Sequence, residues 1–208
     1  MKLAYDVLTI ITLTSLFCIS HSVLASNKVK RAFQRKFGNR IAYYRIGYNI
    51  ISFISLLVIY PMLPQIEIKI YSLPHPSNFI IIFFQLLSIL GLILSAKYFS
   101  AGEFTGWSQL KRFRNGNYNA NDLDEKSELI IKGPYKFSRH PVYFFAIMLL
   151  ILRVEMGLTY FIIVVIFVAY FYIGSIFEEK RLVEKFGETY ANYQKSVPRI
   201  FPINIIKS

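Results

Sequence analysis

The sequence predicts an all-α integral membrane helix bundle of about five spans. Three observations carry the prediction. Hydrophobic residues make up 54% of the 208-residue chain and charged residues only 17%, where an ordinary soluble domain carries about 25% charge. The apolar residues are gathered into long runs, and mean hydropathy is +0.42. The basic residues sit in alternate gaps between those runs, which is the positive-inside pattern. This composition excludes a disordered chain, a collagen-like fibre and a disulfide scaffold, and the single cysteine, Cys18, has no partner for an intramolecular disulfide. The net charge of +12 would suggest nucleic acid in a soluble chain. Here the bilayer accounts for it, and no nucleic-acid partner is expected.

Length distinguishes the runs. Leu3–Ala25, Phe79–Phe99 and Leu158–Phe177 meet the roughly 20 residues that a spanning helix needs. Ile46–Leu63 is marginal but adequate. Val142–Leu152 is short, about 16 Å of helix at 1.5 Å per residue. It is expected to start earlier, in protein-lined space, with Pro141 in the first turn where a missing N–H costs nothing. Gly157 breaks the chain before the last span. Residues 2–25 read as a span rather than a cleaved leader, because cleavage would leave the basic stretch 26–45 outside, against the charge rule.

The gaps set the expected orientation. Residues 26–45 carry Lys28, Lys30, Arg31, Arg35, Lys36, Arg40 and Arg45 and no acid, whereas 64–78 carry only Glu67 and Lys69. Residues 26–45, 100–141 and 178–208 are therefore expected in the cytoplasm, with the N-terminus outside and the C-terminus inside. The proline-rich gap 64–78 reads as an extended outer loop, Arg153 and Glu155 as interfacial groups at an outer turn, and Arg114–Asp124 as a polar loop. The chain is expected to form one membrane domain, 1–208: three spans in 1–99, a loop in 100–141, a helical hairpin in 142–177 and a C-terminal segment in 178–208.

Chemistry-bearing residues concentrate in the last third. Glu178 and Glu179 are adjacent carboxylates at the end of an apolar helix, where the helix dipole disfavours negative charge. Such a pair needs basic neighbours or a cationic ligand; surface pairing with Lys180 and Arg181 is the plainer alternative. Arg139-His140-Pro141 precedes a helix start, where free N–H groups suit a carboxylate; an anchor to lipid headgroups is equally consistent with the spacing. Tyr135, Tyr143, Tyr190 and Tyr193 are each ordinary as interfacial tyrosines. The three histidines and one cysteine are too widely spaced for a metal site, so none is expected. Dinucleotide, P-loop and serine-nucleophile motifs are missing from the sequence.

Together these residues resemble a known superfamily. Gly133-Pro134-Tyr135, Arg139-His140-Pro141-x-Tyr143, Glu178-Glu179-x-x-Leu182-x-x-x-Phe186-Gly187-x-x-Tyr190-x-x-Tyr193 and Val197-Pro198-Arg199…Pro202 are similar to the isoprenylcysteine carboxyl methyltransferase and phospholipid methyltransferase superfamily of membrane enzymes. His21-Ser22, Arg45-x-x-Tyr48 and Glu103-x-x-Gly106-x-x-Gln109 further resemble its bacterial methanethiol S-methyltransferase-like branch. Two positions depart: Phe145 stands where a glycine is frequent and is expected to narrow the space beside the helix, and Tyr44 stands where the thiol-methylating branch tends to have Glu.

The resemblance implies S-adenosylmethionine as cofactor and methyl transfer to a small thiol or other apolar acceptor. Alternatives are a prenylcysteine carboxylate, a phospholipid amine, or a non-catalytic scaffold of the same fold. It implies cofactor binding by Gly133, Pro134, Tyr135, His140, Pro141, Tyr143, Glu178, Glu179 and Tyr190. Catalytic roles fall to Arg139, His140 and Arg199, and acceptor contacts to Arg45, Glu103, Gln109 and Tyr193. The expected partners are the bilayer and a small-molecule or lipid-like acceptor, with no obligate protein partner.

Overall fold

The structure is a computed structural model that describes residues 1–123 and 128–203. The chain is an all-α membrane protein. Among the described residues, four helical stretches are long and apolar enough to cross a bilayer: Lys2–Ala25, Asn27–Met62, Asn78–Ala96 and Leu158–Phe186. Most of their large apolar side chains are exposed, as lipid-facing residues must be when lipid rather than protein is the solvent. The chain divides into two compact units, one of Met1–Ile11, Pro64–Tyr98 and Leu129–Ser208, the other of Thr12–Leu63 and Phe99–Glu128. Asp124 and residues 204–208, which fall in the predicted polar loop and C-terminal segment, lie outside the described residues.

The helices are α1 (Lys2–Ala25), α2 (Asn27–Phe37), α3 (Tyr44–Met62), α4 (Asn78–Ala96), α5 (Ala101–Thr105), α6 (Trp107–Arg114), α7 (Pro141–Ile151), α8 (Leu158–Phe186) and α9 (Glu188–Ser196), with two short strands, β1 (Lys69–Ser72) and β2 (Glu155–Gly157). In the first unit α7 packs along α4. The contact face of α4 is a stripe of buried small residues, Ser88, Gly91 and Ser95, which lets two membrane helices approach closely. A Cβ added at Gly91 would come within 2.3 Å of the Phe145 ring. Phe145 is therefore half-buried, with its ring in the space that Gly91 opens on α4, away from the Tyr143 side of its own helix.

The short fourth span takes a different form from the one expected. α7 begins at Pro141, as its capping chemistry predicts, but it does not begin earlier and covers 11 residues. Past α7 the chain continues in extended form. Residues 155–157 pair antiparallel with 69–72, with Lys69 opposite Gly157 and Ser72 opposite Glu155. The Thr159 hydroxyl donates to the Pro64 carbonyl at 3.0 Å and accepts from the Ile66 N–H at 2.9 Å. The predicted outer loop thus contains a strand, and both turns are tied to the same side. Extended backbone advances about 3.3 Å per residue against 1.5 Å in a helix, so a few extended residues replace two helical turns. Their polar groups are satisfied by β1 instead of by lipid-exposed loop. Glu155 pairs with Lys69 at 2.5 Å, and the Arg153 guanidinium lies over the Tyr160 ring at 4.7 Å.

The second unit joins the rest of α1 to α2, a 3-10 segment Gly38–Tyr43, α3, α5 and α6. Ser26 caps α2. The Tyr44 hydroxyl donates to the Leu24 carbonyl at 2.6 Å, and His21 bridges Ser52 (3.0 Å) and Tyr48 (2.7 Å). The predicted loop 114–124 starts on the last residue of α6 and contains a single 3-10 turn, Ala120–Asp122.

Candidate functional site

In the first unit, the sequence blocks 133–143, 178–193 and 197–202 meet. Gly133 has φ +56, and a Cβ there would lie 2.2 Å from the Tyr98 hydroxyl, so only glycine fits both the left-handed backbone and the close approach. The turn that follows places Tyr135 in the interior, where the Tyr193 hydroxyl donates to its carbonyl. Beyond it, the main chain of 138–140 is stitched to 198–200. Arg139 and His140 N–H donate to the carbonyls of Pro198 and Arg199, both at 2.9 Å, and the Ser138 hydroxyl donates to Ile200 at 2.8 Å. These N–H groups are therefore occupied by protein. The anion-accepting N–H groups at the start of α7 are those of its first turn after Pro141.

α8 is longer than its apolar run. The span ends at Phe177, and the helix continues to Phe186, carrying Glu178 and Glu179 past the apolar segment. Glu179 is only 2% exposed. One of its oxygens accepts from Arg139 Nε at 2.7 Å and from His140 Nε2 at 3.3 Å. The other accepts from Gln194 Nε2 at 3.0 Å and Arg199 Nε at 3.2 Å. Burial opposes this charge, but the hydrogen bonds of His140 and Arg139 and the two guanidinium charges outweigh it and hold the carboxyl at about 2. A carboxylate only accepts, so His140 Nε2 carries the proton. Arg139 also donates through Nη1 to the carbonyls of Gln194 (2.9 Å) and Val197. One arginine thus joins α7's entry, α8 and the end of α9.

Glu178 faces a different environment. Its side chain is 37% exposed, and His140 Nδ1 is 3.6 Å from Oε2, beyond hydrogen-bond range. Tyr143 donates to the same oxygen at 2.8 Å and stacks on His140, ring centroids 5.2 Å apart. Tyr190 is 1% exposed, and among the described residues its hydroxyl has no hydrogen-bond partner. Burial, and after it the negative charge of Glu179, pushes the Tyr190 hydroxyl well above its ordinary range. Burial likewise pushes Tyr193 up to about 12, against the pull of Arg139. Arg199 is 32% exposed, its guanidinium lies over the Tyr172 ring at 5.7 Å, and its side chain bonds Glu179 through Nε.

The other three predicted residues belong to the second unit. Glu103 binds Arg112 through both oxygens, one at 3.1 Å, and its carbonyl accepts from Gln109 Nε2 at 2.9 Å. Gln109 is fully buried. Arg45 lies 5.9 Å from the centre of the Phe104 ring. Between α5 and α6, Gly106 has φ +95, and a Cβ there would meet the Ile46 backbone nitrogen at 2.9 Å.

Sequence reasoning missed Gln194, Ser138, Tyr98 and Tyr172. Gln194 lies one residue beyond a motif tyrosine, but the break at Gly187 between α8 and α9 removes any helical periodicity that would align it with Glu179. Ser138 and Tyr98 act through main-chain contacts, for which side-chain spacing carries no signal.

The chain thus combines several helices long enough to cross a membrane with a charged, partly open cluster past the end of one of them. Comparison with known proteins gives the class. The phospholipid methyltransferase family model matches residues 80–189, just over half the chain and most of the first unit's motifs. The chain belongs to that family, and it is a multi-pass membrane methyltransferase. Methanethiol S-methyltransferase of Pseudomonas deceptionensis is 28% identical over 92% of this chain and 71% of its own length. The protein of the same name from Crocosphaera subtropica is 25% identical over 91% and 72%. Methanethiol S-methyltransferase 1 of Bradyrhizobium diazoefficiens is 24% identical over 91% and 65%. No solved structure matches.

Proposed function

We propose that this chain transfers a methyl group from S-adenosylmethionine to a small thiol of the methanethiol kind, and that the cluster in 133–202 holds the donor. The relatives' names support the acceptor class. The observation that carries the donor site is the contrast between two adjacent carboxylates: Glu179 is saturated by protein donors, while the Glu178 side chain is 37% exposed and accepts from Tyr143.

The residues fit the donor's functional groups. The open carboxylate of Glu178 suits an ammonium or ribose hydroxyls. The terminal guanidinium nitrogens of Arg199, with the first-turn N–H groups of α7, suit a carboxylate. Tyr190 offers a hydrogen bond that nothing in the described protein takes up, and an unsatisfied buried hydroxyl is costly unless a ligand completes it. When bound, S-adenosylmethionine supplies a methyl group on a cationic sulfur, open to in-line displacement by a thiolate. The protein's contribution is positioning: Arg139, His140 and Gln194 lock Glu179, and through it α8, so that Glu178 and Tyr143 are presented in one orientation. Gly133, Pro134, Tyr135 and Pro141 shape the backbone around them. Of the residues assigned to the acceptor, Tyr193 belongs to the first unit and Arg45, Glu103 and Gln109 to the second; a nearby cation such as Arg45 or Arg139 would favour a thiolate. By the charge rule, the basic gaps and the C-terminus face the cytoplasm and the N-terminus lies outside.

The test is S-adenosylmethionine binding by detergent-purified protein, wild type beside Glu178→Gln. Binding by wild type, weakened roughly tenfold or more by the loss of a charged hydrogen-bond partner, supports the donor site. A folded wild-type protein that binds no donor overturns the reading. An acceptor screen then sets methanethiol against phosphatidylethanolamine, and preference for the amine would move the acceptor to lipid.

A further inference from the structure

We infer that the second unit carries a recognition surface for anionic phospholipid headgroups, formed by the cationic face of α2 and the exposed cations of α6. This inference does not depend on the methyl-transfer reading. α2 has no freedom to leave the membrane surface. α1 ends at Ala25, Ser26 caps α2 directly, and a six-residue 3-10 segment leads from α2 into α3. A helix fastened at both ends to membrane-crossing helices lies at the headgroup level.

Its side chains are sorted accordingly. Lys28, Arg31, Arg35 and Lys36 are exposed and share one side of the helix by their spacing. Phe33, half-buried, and the buried Lys30 lie on the other side, and the Phe33 ring meets Tyr44 edge-on at 5.2 Å. No acid occurs between residues 26 and 45, so nothing nearby in sequence neutralises this face. Strong amphipathicity with cations on the polar side is the signature of a helix lying in an anionic interface.

α6 extends the surface. Both helices pack on the 3-10 segment, where Arg40 is also exposed, and the Phe113 ring meets Tyr43 at 5.5 Å. Arg112 is neutralised by Glu103, but Lys111 and Arg114 are exposed. They line an open cavity of about 310 Å³ together with Trp107, Leu110 and Asn115. Trp107 is 64% exposed and Phe104 is 66% exposed. Large aromatics set among cations suit the boundary between headgroups and acyl chains, whereas a surface built for a soluble anion has no use for them.

Trp107 is the only tryptophan in the chain and so reports on this surface directly. The experiment reconstitutes the full chain in liposomes containing acyl-brominated phosphatidylglycerol or brominated phosphatidylcholine at the same fraction, so that Trp107 is the only fluorophore of its kind present. At low salt the anionic lipid should quench Trp107 fluorescence about twofold more than the zwitterionic one. The excess should vanish near 0.5 M sodium chloride, where the Debye length falls to about 4 Å. It should vanish also in Lys28→Gln/Arg31→Gln/Arg35→Gln/Lys36→Gln. The salt arm needs no substitution, so misfolding of the variant cannot mask the result. Equal quenching by the two lipids in the wild type at low salt would overturn the inference, as would an excess that survives both treatments. Loss of the excess in sodium phosphate but not in sodium chloride of equal ionic strength would reassign the surface to a soluble anion and overturn it too.

Discussion

The cluster around Glu179 and the one around Glu103 are both carboxylates held by arginine, yet they are built differently. Glu103 meets Arg112 nine positions away, across one turn between two short helices, and both side chains stay about one-fifth exposed. Glu179 meets Arg139, His140, Gln194 and Arg199, donors drawn from before α7, from within α9 and from beyond it, and is almost wholly buried. The first pair stiffens a local turn. The second binds the ends of three helices to one another and leaves its neighbour Glu178 open. Saturating one carboxylate while exposing the next gives the chain a rigid support and a ligand-facing charge from consecutive residues.

The largest break in this comparison should come from Glu179→Gln. It removes the charge that balances buried Arg139, and unpairing a buried ion typically costs about 3–5 kcal/mol. Thermal unfolding of the full chain in detergent should show the loss, and a change under 1 kcal/mol would mean that the cluster does not hold the helices. The matching change in the other region, Arg112→Gln, should cost about 1 kcal/mol in the same assay, because solvent screens a partly exposed pair. Equal losses at the two sites would erase the distinction between them.

Tyr190→Phe sharpens the comparison with the opposite sign. Removing a buried hydroxyl without a partner should leave the chain equally stable or more stable, by up to about 1 kcal/mol, while S-adenosylmethionine affinity falls. A destabilised variant with unchanged affinity would make Tyr190 a packing residue. A further test is in pH. Glu179 titrates at about 2 in the folded chain, against about 4.3 for an unperturbed Glu. Its stabilisation is present in full above the unfolded value and is lost as pH falls from there through about 2. The unfolding temperature should not vary on account of this group between pH 7 and 5 and should begin to fall below about 4.3. A decline that starts at pH 6 would point to a different titrating group.

Much of this was readable in the sequence. The runs Leu3–Ala25, Ile46–Leu63, Phe79–Phe99 and Leu158–Phe177 match α1, α3, α4 and the apolar part of α8 within a few residues, because hydrophobic length alone specifies a spanning helix. Pro141 marked the start of α7, and Glu178-Glu179 with Arg139-His140 marked the cluster, because adjacent carboxylates at a helix end need cations. The sequence did not show that the fourth span is finished in extended form. That outcome depends on β1, more than eighty residues earlier, accepting the hydrogen bonds of residues 155–157. Nor did it show that Phe145 points away from the Tyr143 side of its helix, since the space it fills is made by Gly91 on another helix.

Sequence by itself therefore determined the membrane class, the positions of the helices and the identities of the charged groups, all of which follow from local composition and spacing. Only the tertiary structure decided which of the two glutamates is buried and which is open. Neighbours on a helix point about 100° apart, so the partners brought by α7, α9 and the 197–200 segment, not the residues' own chemistry, set their separate roles.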